Sequence, residues 1–322
     1  MASERILVAG AGALGSVLGG LIAAAGRDVT LLGRRAHVEA ARAGGLVIDG
    51  LFGAHRIVRG LTYATDPAEL GDGYGAIFLT VKAYDTVAMV GTVGPRLAAD
   101  GFLVSFQNGL GNVEAAERAV GPARVVGARV IFGAELVAPG HARVTVFADP
   151  VLIGSPEPSD RRRRAVAERW ATELAAAGVP AEPTDDLIAA LWAKVFYNAA
   201  LNPLGALLGL RYGDLPRHPD TRAIMDTVID EAFTVARAED VALRWRDAGE
   251  YREEFYGRLV PSTAEHRPSM LQDIERGRPT EIDAINGQVA ARGARRAIPT
   301  PVNATLTRLI RARAARRPGT DA

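Results

Sequence analysis

The 322-residue chain contains no cysteine. Disulfides, thiolate metal sites and cysteine nucleophiles are excluded together, and a reducing cytoplasm is the expected location. A surplus of one charge is missing too. The 38 basic and 37 acidic side chains leave a formal charge of +1 at pH 7. No global field draws in nucleic acid or an anionic membrane, so neither is expected as a partner, while a local basic pocket is still allowed. No cluster of metal-ligand residues stands out, and no metal is expected. Uninterrupted hydrophobic runs are also absent. Residues 6–25 come nearest, but Gly10, Gly12, Gly15, Gly19 and Gly20 break the run, and Glu4 stands beside Arg5 just before it. Those glycines suit a tight turn better than a membrane span or a secretory leader.

What is present is the composition of a packed soluble protein, 48% hydrophobic and 23% charged. The length suits about two domains of roughly 100–200 residues each. Residues 5–9 form a short apolar run ending in glycine, the pattern of a strand buried on both faces. A helix over residues 15–25 and a second strand over 28–32 complete a βαβ unit. Further strands are expected at 76–81, 102–106 and 125–130, with helices at 86–97 and 113–120 between them. Residues 133–154 alternate Val, Thr and Phe around Gly140, which predicts an antiparallel hairpin at the sheet edge. A helix over 161–177 and a last strand or connector over 179–183 follow. From Asp185 onward only helices and turns are expected, with a frayed basic tail from Arg311. The fold class is therefore α/β, a doubly wound Rossmann-type domain over residues 1–184 followed by an all-α domain over 185–322, with a cleft between them.

Gly10, Ala11, Gly12, Ala13, Leu14 and Gly15 spell G-x-G-x-x-G between a strand and a helix. The first glycine permits the turn, the second lets a pyrophosphate approach the backbone, and the third lets helix and strand pack closely. The amides at the helix start then face the anion. At the end of the second strand an NAD enzyme usually carries an acid for the ribose 2′-hydroxyl, whereas this chain has Gly33-Arg34-Arg35. An arginine there can pair with a 2′-phosphate, which favours NADP and Arg34; the alternative is solvated surface.

Lys194, Asn198 and Asn202 recur at i, i+4 and i+8 among apolar neighbours, so they share one helix face, with Pro203 following at its end. Such a stripe is costly unless something polar meets it. A half-desolvated lysine can serve as a general acid near neutral pH. The bland alternative is an exposed helix face. Glu281 begins a helix after Gly277, either as favourable first-turn charge or facing a ligand. Lys82 and Asn108 each follow a strand of the first domain, where a doubly wound sheet meets its ligand, and each could equally lie in an ordinary turn. Residues 161–164, four arginines, read as a solvated helix start without the aromatic platform of a nucleic-acid site.

Taken together, residues 10–15, 107–111, 194–203 (K-x-x-x-N-x-x-x-N-P) and 269–287 (SMLQDIERGRPTEIDAING) make the sequence resemble the ketopantoate reductase family over nearly the whole chain. The resemblance implies NADPH as reductant and a small 2-keto acid substrate. It further implies Lys194 as general acid, Asn198, Asn202 and Ser269 at the substrate, and Lys82, Asn108 and Glu281 toward the cofactor. One departure stands out, since the position where some relatives carry a further substrate-contacting asparagine falls here at Arg211 or Tyr212. The expected activity is reduction of ketopantoate to pantoate, in pantothenate and coenzyme A synthesis. A reductase for another small 2-keto or 2-hydroxy acid, and a non-catalytic NADPH sensor, are the alternatives. A homodimer is admissible, but nothing in the sequence fixes the oligomeric state.

Overall fold

The computed structural model describes residues 4–316 of the chain. Strand β1 (Arg5–Ala9), helix α1 (Ala13–Ala24) and strand β2 (Asp28–Leu32) form the expected βαβ unit, with β1 and β2 parallel. The helix begins at Ala13 rather than Gly15, so the third motif glycine lies inside its first turn. Then follow α2 (Arg35–Gly44), β3 (Leu46–Gly50), β4 (His55–Ile57), β5 (Leu61–Ala64), β6 (Tyr74–Leu79), α3 (Thr86–Val93) and β7 (Leu97–Ser105). Next come α4 (Asn112–Val120), β8 (Val125–Ala138), β9 (His141–Gly154), α5 (Arg161–Ala176) and β10 (Ala181–Thr184). The sheet runs β4-β3-β9-β8-β7-β6-β1-β2-β5, with β10 paired to β9. From β5 to β8 every pairing is parallel, and the strand order reverses between β1 and β6. A doubly wound sheet opens its ligand crevice at such a reversal.

Several expectations need correction. The hairpin turns at Gly140 (φ +74°), but its first arm is continuous with the strand expected at 125–130. Nor does it lie at the edge: β3 pairs with the start of β9, and β10 with its end. The helix expected over 86–97 stops at Val93, and Leu97 already belongs to β7 because a 3₁₀ turn through Pro95 intervenes. Among the four arginines, Arg163 is buried rather than solvated, held between Glu117 (2.9 Å) and Asp160 (2.9 Å).

Helix α1 is apolar all round because it is buried all round. Gly19 packs toward Val8 and Leu31 of β1 and β2, while Gly20 packs toward Leu46 and Ile48 of β3. A Cβ at Gly19 would stand 2.6 Å from the Leu31 side chain, and one at Gly20 2.6 Å from that of Ile48. Two adjacent glycines thus let one helix fit between two parts of a single sheet, where close packing leaves no room for a methyl group.

Helices make up the second part of the chain: α6 (Leu187–Leu208), α7 (Pro219–Ala238), α8 (Ala248–Glu254), α9 (Val260–Ser262), α10 (Ser269–Glu275), α11 (Asn286–Arg295) and α12 (Pro301–Ala315). Among the described residues it contains no strand. Trp192 and Phe196 of α6 pack with Phe233 and Tyr251 in its core. Pro203 lies inside α6 rather than after it. The turn beyond it is buried, and burial of this kind outweighs local propensity. Helix α12 runs to Ala315, so the start of the expected frayed tail is helical, and residues 317–322 lie outside the described residues. No described helix is long and apolar enough to cross a membrane. The chain divides into two compact units, one of residues up to Gln107 with Asn112–Leu187, the other of Asn108–Gly111 with the residues from Ile188 onward.

Candidate active site

In the first unit, the glycine turn is built between β1, β2 and β6. The amides of Gly10 and Ala11 donate to the Leu32 carbonyl at 3.0 and 2.7 Å, while Thr80 Oγ1 donates to the Gly10 carbonyl at 2.8 Å. Gly10 has φ +112°, and a Cβ there would stand 2.6 Å from the Val81 nitrogen. At Gly15 a Cβ would meet the Gly10 carbonyl and stand 2.7 Å from Thr80 Oγ1. The protein's own packing therefore accounts for both glycines.

Gly12 is different. It is exposed, its φ is −85°, and a Cβ there would meet nothing nearer than the Gly10 carbonyl at 4.0 Å. Nothing in the fold requires a glycine at this position, so its bareness serves what approaches from outside. No side chain caps α1, and no acid stands in its first turn. Uncapped amides beside an open backbone are the donor set for a phosphate group. One turn away, Arg35 is engaged with Glu39 at 3.1 Å, whereas no ion pair occupies the exposed Arg34 among the described residues. A free guanidinium at the end of β2 suits a second phosphate. The residues present thus fit an anionic dinucleotide. Lys82 is half-buried just beyond β6, at the start of a 3₁₀ turn.

Sequence reasoning missed His37. Burial holds its pKa down. The Gly140 amide donates to Nδ1 at 3.0 Å, which leaves Nε2 as the donor to Ser16 Oγ at 2.8 Å. One neutral imidazole thereby joins α1, α2 and the hairpin turn. Its only local signal was a position on the inward face of α2, three residues beyond Arg34. Gln107 enters the sequence signal only as part of the 107–111 block, and Thr86 only as the start of an expected helix. Gln107 donates to the Val81 carbonyl at 2.9 Å and to Thr86 Oγ1 at 2.7 Å, and Thr86 donates to Asn112 at 2.8 Å.

In the second unit the polar stripe of α6 is buried rather than exposed, with Asn198 and Asn202 at 7% and 3% of full accessibility. That removes the bland reading of an exposed face. Asn202 Nδ2 donates to Asn198 Oδ1 at 3.2 Å, and Ser269, the first residue of α10, donates to Asn202 Oδ1 at 3.2 Å. One helical turn earlier, the half-buried Lys194 donates through Nζ to Asn108 Oδ1. Asn108 Nδ2 in turn donates to Glu281 Oε2 at 3.3 Å. Glu281 is 5% exposed and precedes a short 3₁₀ turn, so it is no first-turn helix residue.

The segment bearing Asn108 is locked in place by glycine. Gly109 has φ +83° and lies against the Ala284 carbonyl, which accepts from the Leu110 amide at 2.8 Å. Lys194, Asn198 and Asn202 of α6, Ser269 of α10 and the loop residues Asn108 and Glu281 thus supply an ammonium, three amides, a hydroxyl and a carboxyl in two hydrogen-bonded sets that meet on α6. Such a set can hold a small polar anion and deliver a proton to an oxygen on it. Neither residue at the position of the expected departure joins this set. Arg211 is exposed and paired with Glu265, while Tyr212 is buried edge-on to Tyr197.

The family descriptions "Ketopantoate reductase PanE/ApbA" and "Ketopantoate reductase PanE/ApbA C terminal" match residues 6–158 and 186–314. A 2-dehydropantoate 2-reductase of Aquifex aeolicus is 36% identical over 310 residues, covering 96% of each chain. A crystal structure of a PanE/ApbA family ketopantoate reductase from Ralstonia eutropha superposes with a TM-score of 0.85 at 32% identity, over 97% of this chain and 98% of that one. A ternary structure of D-mandelate dehydrogenase with NADH and anilino(oxo)acetate superposes with a TM-score of 0.86 at 26% identity, over 97% and 98% of the two chains.

Proposed function

We propose that this chain, which belongs to the ketopantoate reductase family, reduces 2-dehydropantoate (ketopantoate) to pantoate at the expense of NADPH. The observation that carries this reading is the chain of hydrogen bonds linking Glu281, Asn108 and Lys194, with the linked Asn198, Asn202 and Ser269 one turn further along α6 from Lys194. The turn of Gly10, Ala11, Gly12, Ala13, Leu14 and Gly15 would cradle the pyrophosphate, with the uncapped amides at the start of α1 as donors, and Arg34 would pair with the 2′-phosphate. Lys82, Asn108 and Glu281 act on the cofactor side.

NADPH, when bound, supplies the hydride that reduces C2. Lys194 Nζ donates a proton to the C2 oxygen as negative charge develops there, so the alkoxide is never left bare. Asn108 orients that ammonium through its Oδ1, and Glu281 fixes Asn108 by accepting from its Nδ2. Asn198, Asn202 and Ser269 supply the neutral donors that position the carboxylate and hydroxyl of the acid.

The likeness to D-mandelate dehydrogenase favours a second reading, an oxidoreductase for another 2-keto or 2-hydroxy acid. Initial rates of NADPH and NADH oxidation with ketopantoate, beside a panel of branched and aromatic 2-keto acids, decide between them. Preference for ketopantoate and NADPH supports the first reading. Preference for a different acid keeps the proton donor and changes the substrate.

A further inference from the structure

Pro203 leaves a gap in α6 that another helix fills. A proline inside a helix has no N–H for the carbonyl four residues earlier, which destabilises the helix where nothing compensates. Here that carbonyl belongs to Ala199, buried beside Asn198. Asn286, the first residue of α11 and 0% exposed, donates its Nδ2 to the Ala199 carbonyl at 3.1 Å. The same amide nitrogen donates to Asn303 Oδ1 at 3.0 Å.

The direction of this network admits no amide flip. Asn303 Nδ2 faces two acceptors, Glu231 Oε2 at 2.7 Å and the Val228 carbonyl at 3.2 Å, so its Oδ1 must face Asn286. Asn286 then faces two acceptors itself, and only its NH₂ end satisfies both. Glu231 anchors the chain by accepting also from the Val302 and Asn303 amides, each at 2.9 Å, at the start of α12.

We infer that Asn286 is a positioning residue for the active site: it replaces the hydrogen bond that Pro203 removes and so holds the turn of α6 carrying Asn198 and Asn202. Its donated proton reaches the carbonyl one residue from Asn198 and three from Asn202, while Glu231 and Asn303 hold it from α7 and α12. A proline at this point leaves α6 without its own bond where the substrate amides stand, and the register of that turn is set by a side chain from α11. This rests on the proposed reduction only for the site it serves.

The test is a double-mutant cycle of Asn286→Ala and Pro203→Ala, read by thermal unfolding and by steady-state kinetics with NADPH and ketopantoate. Asn286→Ala orphans the Ala199 carbonyl, and Tm falls by on the order of 5 °C. The KM for the keto acid rises and kcat falls, together lowering kcat/KM by about tenfold, a 1 Å scale misplacement being enough, while the KM for NADPH is unchanged. In the double variant the backbone N–H restored at position 203 can meet the Ala199 carbonyl, so part of the Tm loss and of the kcat/KM loss is recovered. Additive losses overturn the inference, as does an Asn286→Ala enzyme with unaltered kcat and keto-acid KM, which would make the residue structural only. If the wild-type enzyme leaves ketopantoate untouched, the functional reading fails. The Tm cycle, together with KM and kcat on whichever acid of the panel is turned over, still decides the role of Asn286.

Discussion

At the glycine turn of the first unit, the groups offered to a ligand are backbone amides, and the position that matters is one where a side chain is missing without structural need. Along α6 of the second unit the offered groups are side chains, with Lys194 and Asn202 held by residues from distant parts of the chain and Asn198 held by Asn202. A backbone site is fixed once the strand, turn and helix form. A side-chain site is only as precise as the residues that hold its rotamers, here Asn108 and Glu281 for Lys194. The lysines make the contrast plain. Only two of the 38 basic residues are lysine, Lys82 and Lys194, and both fall at proposed site positions. Arginine serves for surface ion pairs, but its guanidinium cannot give up a proton near neutral pH, and an ammonium can.

Lys194→Ala is the variant expected to do most. It removes the proton donor, and kcat should fall by about 10²–10⁴-fold with NADPH affinity and Tm near wild type; stopped-flow and equilibrium fluorescence titration would separate the two. Retained kcat would end the distinction between a side-chain site and a backbone site. Gly10→Ala comes next and acts through the fold. Its positive φ and the contact with Val81 should cost on the order of 2–3 kcal/mol of stability, measured by denaturant unfolding.

Gly12→Ala sharpens the same comparison from the other side. The fold has room for this methyl group, so unfolding should be unchanged while NADPH affinity drops by about tenfold, the signature of a position kept bare for a ligand. Loss of stability there would show that the turn, not the ligand, needs the glycine. Arg34→Ala should weaken NADPH by about tenfold and leave NADH alone, whereas Arg35→Ala, which breaks only an exposed pair with Glu39, should change both little. Paired titrations with the two cofactors read this directly.

The smallest effect concerns pH. Burial lowers the pKa of His37 from its ordinary 6.5. Below that value the unfolded chain takes up a proton that the folded chain resists, so stability present above about pH 6.5 is lost as pH falls toward the folded value. Protonation at Nδ1 would also set a donor against the Gly140 amide. His37→Gln should therefore flatten the fall in Tm between neutral and mildly acid pH by a few degrees at most. His266, also lowered by burial, keeps a slope of the same sign in that variant.

Much of the first unit was legible because its signals are local. The apolar runs at β1 and β2 and the intervening glycines are contiguous, and a strand–turn–helix needs no distant partner to be recognised. The pair β3 and β4 was not read, because their short alternation makes sense only once β3 lies beside the start of β9. The same long-range pairing moved the hairpin off the edge. Arg163 looks like its three neighbours in the sequence, and the approach of Glu117 and the Pro122 carbonyl, beside its local pair with Asp160, distinguishes it.

The period of Lys194, Asn198 and Asn202 in the second unit was determined by the sequence alone, as was the strand–turn–helix of the glycine motif in the first, since helical spacing and glycine's freedom act between near neighbours. Tertiary structure decided which groups meet. Asn108 lies 86 residues from Lys194 and 173 from Glu281, yet it touches both. Asn286 reaches across 87 residues to the carbonyl that Pro203 had left open. A hydrogen bond is defined by a few tenths of an ångström and an angle, and spacing along a chain carries no such information between residues that folding alone brings together.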